Sequence, residues 1–81
     1  FKTGNSATEY MRITAGGNVG VATTDPTAKM DILSDILRLR TPKTPASAGA
    51  AGNAGNICWD ASYLYICVAT NSWVRSAFAA W

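Results

Sequence analysis

The sequence contains no histidine, and that one absence removes the histidine-based catalytic triads and most zinc sites. Its two cysteines, Cys58 and Cys67, have no further ligand set at zinc spacing. They are also too few for a disulfide-scaffold domain of the secreted kind. No phosphate-loop pattern with its lysine occurs among the glycines. Nothing in the sequence brings two of the five carboxylates together as a glycosidase pair. Asp25 and Asp31 lie in no dense acidic loop of the kind a hard cation requires. No catalytic, cofactor or metal site is therefore expected, and the chain reads as a non-enzyme.

Charge is also scarce. Only 15% of residues are charged and the formal net charge is +2. The basic residues Lys2, Arg12, Lys29, Arg38, Arg40, Lys43 and Arg75 are scattered, which argues against a nucleic-acid footprint clustered on one face. No apolar run approaches the roughly 20 residues that span a bilayer, and no leader pattern is present, so membrane insertion is not expected. The chain begins at Phe1, as a processed chain or a portion of a longer one would. With 81 residues it holds one small domain at most, and a monomer of this size buries only about 60% of its unfolded surface. Partners or staples are expected to complete the core.

What is present divides into three stretches: residues 1–40, a small-residue stretch 41–56, and residues 57–81. In the first, Glu9-Tyr10-Met11-Arg12-Ile13-Thr14 alternates polar and apolar residues as a half-buried strand does. Ala15-Gly16-Gly17-Asn18 then tolerates positive φ, predicting a hairpin into Val19-Gly20-Val21-Ala22. Pro26 breaks any continuing ladder, and Asp25 is placed to cap a single helical turn through Ala28. From Lys29 to Arg40 two readings compete. Alternation favours two short strands, Met30-Asp31-Ile32-Leu33 and Ile36-Leu37-Arg38-Leu39, whereas Met30, Leu33, Ile36 and Leu37 also fit a helical stripe.

Residues 41–56 hold almost nothing to bury, and their prolines and glycines obstruct a ladder. They read as a Gly/Ala-rich extended linker, or as a crossing where several chains approach one axis. The last stretch reads as a three-stranded meander: Ile57-Cys58-Trp59-Asp60, a turn at Ala61-Ser62, Tyr63-Leu64-Tyr65-Ile66-Cys67-Val68, a turn at Thr70-Asn71-Ser72, then Trp73-Val74-Arg75-Ser76-Ala77-Phe78. A two-residue first turn sets Trp59 opposite Leu64 and Ile57 opposite Ile66, with Cys58, Tyr63, Tyr65 and Cys67 on the other face. The fold class expected is all-β: short hairpins and a meander, completed by packing between subunits.

The run Glu9-Tyr10-Met11-Arg12-Ile13-Thr14-Ala15-Gly16-Gly17-Asn18-Val19-Gly20-Val21-Ala22-Thr23-Thr24-Asp25-Pro26-Thr27-Ala28-Lys29-Met30-Asp31-Ile32 resembles a recurring segment of bacteriophage tail-fibre and tailspike proteins. That segment runs approximately E-x-M-R-I-T-x-x-G-N-V-G-I-G-T-T-x-P-x-x-K-L-x-V. Val21, Met30 and Ile32 depart from it conservatively, while Ala22 stands where glycine is usual and leaves the turn less backbone freedom. The stretch from Gly52 to Arg75, with its ordered Cys58-Trp59-Asp60, Tyr63-Leu64-Tyr65 and Asn71-Ser72-Trp73 elements, is similar to a second module of phage fibre and appendage proteins. The resemblance implies a β-rich, usually trimeric fibre part involved in host attachment, located in a virion tail fibre or an extracellular filament. A helical polymer joined by strand exchange is the alternative assembly.

Among individual residues, Trp59, Tyr63, Tyr65, Trp73 and Trp81 have two readings. As an exposed platform, with Tyr63, Tyr65 and Trp73 foremost, they would stack on a host-surface glycan; as a core or subunit interface they would simply be covered. Cys58 and Cys67 are diagonal neighbours in the expected register, so a disulfide is conceivable, but two small core residues are the simpler outcome. Asp60 and Asn71 are expected to serve turns through side chain to backbone hydrogen bonds.

Overall fold

The computed structural model describes residues 10–81. It is all-β: among the described residues there is no helix, and the strands form two three-stranded sheets. The chain divides into two compact units, Phe1–Leu37 and Arg38–Trp81.

The first unit contains β1 (Met11–Ile13), β2 (Val19–Val21) and β3 (Met30–Ile32) in the order β1-β2-β3. β1 and β2 form the expected hairpin, antiparallel, with Met11 opposite Val21 and Ile13 opposite Val19. Its turn closes where the Gly17 N–H donates to Thr14 O at 2.9 Å and the Thr14 N–H to Asn18 O at 3.0 Å. Gly17 adopts φ 84°, the left-handed region that glycine enters without penalty. The start of the expected strand at Glu9 lies outside the described residues.

β3 pairs with β2 in parallel, Val19 with Met30 and Val21 with Ile32. Parallel neighbours ordinarily need a crossover of a dozen or more residues. Here each strand has only three residues, about 10 Å of length. Residues 22–29, which reach at most about 29 Å, suffice for the return. The loop is tight. Gly20 and Pro26 are buried inside it, and a Cβ on Gly20 would stand 2.5 Å from Thr23 O and 3.4 Å from Pro26 Cβ. Ala22 takes φ 64°, a left-handed conformation that alanine adopts only at a cost. Asp31 ties the loop down, its Oδ2 accepting from the Thr27 N–H at 2.8 Å and from Thr27 Oγ1 at 3.1 Å.

Two expectations for this region are corrected. No helical turn follows Asp25; its N–H instead donates to Thr23 Oγ1 at 3.2 Å. Residues 36–39 form neither a strand nor a helix. Met30–Ile32 is a strand because it pairs along β2, whereas residues 36–39 form no ladder with any strand of the single chain.

The second unit is the meander: β4 (Ile57–Trp59), β5 (Tyr63–Ala69) and β6 (Ser72–Ala77), antiparallel throughout in the order β4-β5-β6. The register is the expected one, with Ile57 opposite Ile66 and Trp59 opposite Leu64. β6 adds Val74 opposite Ile66 and Ser76 opposite Leu64. A bulge between Cys67 and Ala69 shifts the β5–β6 ladder before the turn. Asn71 makes that turn at φ 55°, a region asparagine enters more readily than most residues.

Residues 41–56 are less a linker than a strap belonging to this unit. The Lys43 N–H donates to Trp59 O, Trp73 N–H to Ala48 O, Asn71 N–H to Gly52 O and Cys67 N–H to Asn56 O, all at 2.8–2.9 Å. The strap therefore starts at the β4 edge and ends along β5 and β6. One of its glycines has a steric reason: a Cβ on Gly52 would lie 2.8 Å from the Trp73 ring.

Candidate functional site

The strap crosses the face of the meander that carries Cys58, Tyr63, Tyr65, Cys67, Trp73 and Arg75. Under it lie two buried side chains of this unit, Tyr65 at 5% exposure and Cys67 at 0%. Asp60 organises this face. Its backbone N–H donates to Tyr63 O at 3.0 Å, closing the β4–β5 turn. Its Oδ1 accepts the N–H groups of Ser62 at 2.8 Å and Tyr63 at 2.9 Å. Its Oδ2 accepts the hydroxyls of Tyr65 at 2.5 Å and Thr44 at 2.6 Å. One carboxylate thus holds the turn, the core tyrosine and the strap.

Four donors stabilise the charged form of Asp60. Led by the Thr44 hydroxyl and then the Tyr65 hydroxyl, they hold its pKa far below the usual carboxylate value. The same bond to Asp60 raises the Tyr65 phenol above its ordinary 10.0. With two donors on each oxygen, this carboxylate joins turn, strand and strap.

Beside this cluster the strap leaves an open groove of about 470 Å³, lined by Thr44 to Ala48 on one side and by Tyr65, Trp73, Val74 and Arg75 on the other. The three platform aromatics are brought to this face, but unequally. Tyr65 is buried and its hydroxyl is spent on Asp60. Tyr63 stands 5.7 Å from Tyr65, centroid to centroid, and its ring is covered by the Arg75 guanidinium at 4.1 Å, a cation–π contact. Trp73 packs over Gly52 and donates from Nε1 to Ala50 O at 3.1 Å. Of the other two, Trp59 donates from Nε1 to Leu39 O at 2.8 Å, and Trp81 is exposed.

Cys58 and Cys67 are both free thiols, the first half-buried and the second fully buried. Cys67 Sγ donates to Ala69 O at 3.0 Å, inside the bulge. Asn71 bonds the strap as well as making its turn: Oδ1 accepts from the Gly52 N–H at 3.0 Å. Among the described residues no group of three His, Cys, Asp or Glu could hold a metal ion, and no helix is long and apolar enough to cross a membrane.

Sequence reasoning did not find Thr44 as a partner of Asp60, nor Arg75 as the cover of Tyr63. The second was accessible, because Tyr65 pairs with Arg75 and Tyr63 with Ala77, which puts all four side chains on one face. The first had no local signal, since the bond joins positions 16 residues apart. Comparison with protein-family models, with curated proteins and with solved structures finds no match.

Proposed function

We propose that this chain is a structural, non-enzymatic, self-assembling fibre subunit of the phage tail-fibre kind, serving host attachment in a virion tail fibre or an extracellular filament. The observation that carries the reading is the outer face of the meander. Ile57, Leu64, Ile66 and Val74 share that face at 56, 38, 37 and 50% exposure. Trp59 and Ser76 lie on it too, and none of these paired residues is charged. Soluble monomers seldom leave so contiguous an apolar patch uncovered. A second copy suits an uncharged face, because self-association then sets no like charges against each other. The two motif-bearing runs named above support the same reading.

A homotrimer is the proposed assembly and a helical polymer the alternative. Light scattering or native mass spectrometry of the purified chain tests this: a mass of several chains is expected, and a stable folded monomer at high concentration overturns it. A glycan-binding tip is the second reading, favoured by the groove beside Trp73 and Arg75. Its test is Arg75→Ala, which should abolish binding to a host-surface glycan array while leaving the oligomer intact. Unchanged binding would remove the groove from consideration.

A further inference from the structure

Two parts of the chain are strand-like in opposite ways. After Ile36, residues 37–40 alternate apolar and basic side chains, yet the backbone N–H groups of residues 36–40 donate no hydrogen bond. Ile36, Leu37 and Leu39 are 75, 73 and 47% exposed. This is a strand without a sheet. At the outer edge of the meander the converse holds. On β6 the N–H of Trp73 points away from β5, to Ala48 O, while that of Phe78 points towards the β5 side, to Ser62 O. Strand alternation then turns the N–H and C=O groups of Arg75 and Ala77 outward with those of Trp73. The strap covers the edge only at Trp73, and neither Arg75 nor Ala77 has a partner there. This is a sheet edge without a strand.

We propose that residues 36–40 of one copy add as a strand to the β6 edge, at Arg75 and Ala77, of another copy. The inference rests on the self-assembly reading and names its contact. The chain's own segment is held at the opposite edge: Leu39 O accepts from Trp59 Nε1 and the Lys43 N–H donates to Trp59 O, and Trp59 belongs to β4, across β5 from β6. An added strand satisfies the exposed backbone groups as β-augmentation does. Leu37 and Leu39, two residues apart, would share one face and extend the row Ile57, Ile66, Val74. The contact is head-to-tail, so it closes into a ring such as a trimer or runs on as a filament.

Hydrogen exchange of the whole chain, assembled and then diluted, tests the contact. Amides of residues 36–40 and of Arg75 and Ala77 should slow by at least about tenfold on assembly. Ala77→Pro removes an outward N–H without touching the β5–β6 ladder, and should abolish that protection and the assembly while leaving the meander folded. An assembly in which these amides exchange as freely as in the diluted chain overturns the strand exchange alone. A mass that stays that of one chain overturns the self-assembly reading and this one with it.

Discussion

In the first unit the tightest constraint is on the backbone, at Gly20 against Thr23 O and at the left-handed Ala22. In the second it is on side chains, at Trp73 over Gly52 and in the ring of donors around Asp60. Three-residue strands have too little surface to bury, so the first unit depends on a loop that only certain backbones can follow. The meander has longer strands, aromatics to cover and a strap to cover them. Small residues are common to both, but they admit backbone in one unit and an indole in the other.

The sharpest way to break this contrast is Gly20→Ala. Its Cβ would collide with a backbone oxygen that cannot move without opening the loop, at a cost of about 3 kcal/mol. All three tryptophans, Trp59, Trp73 and Trp81, lie in the second unit. Tryptophan fluorescence should therefore melt unchanged while circular dichroism loses the first sheet. A fall in the fluorescence melting temperature as well would contradict an effect confined to the first unit.

Gly52→Ala should do the reverse, at about 2 kcal/mol, because the indole it meets can give a little. Here the fluorescence melting temperature falls. Native-like fluorescence stability would mean that the strap does not hold Trp73.

Next in size is acid sensitivity. Asp60 is the one carboxylate side chain of the second unit, and its folded-state pKa lies below the ordinary 3.8. A depressed carboxylate contributes stability that is present above the unfolded value and lost as pH falls through the folded one. The fluorescence melt should accordingly stay level from neutral pH down to about 4 and decline below it. Asp60→Asn should start lower at neutral pH and show no such decline; an acid limb that survives the substitution would assign it elsewhere.

The smallest effect expected is a gain. Ala22→Gly relieves a left-handed alanine and should stabilise the first unit by about 0.5–1 kcal/mol, read by circular dichroism. A loss instead would show that glycine's extra freedom in the unfolded chain outweighs the relief.

Much of the fold was legible because it is local. The Gly16-Gly17 turn, the pairing of Ile57 with Ile66, and the turns at Ala61-Ser62 and Asn71 each follow from residues a few positions apart. Two features were not. Residues 36–39 have strand composition, but pairing needs an edge, and composition does not say whose. Residues 41–56 look like a linker because small residues carry no periodic signal; their purpose appears only when Trp73 arrives from 21 residues beyond Gly52. The site divides the same way. The roles of Asp60 and Asn71 in turns were readable, while Thr44 on Asp60 and Arg75 on Tyr63 depended on the folded face. Tyr65 bonds Asp60, and Trp73 bonds the strap at Ala50.

In the proposed fibre, further copies cover the apolar outer face of the meander. Tryptophan-monitored melting across a wide concentration series, for the chain and for Ile66→Lys, tests it most directly. A melting temperature that rises with concentration is expected for the chain, and a concentration-independent melt of single chains for the variant. Concentration-independent melting of a monomeric parent chain would contradict it.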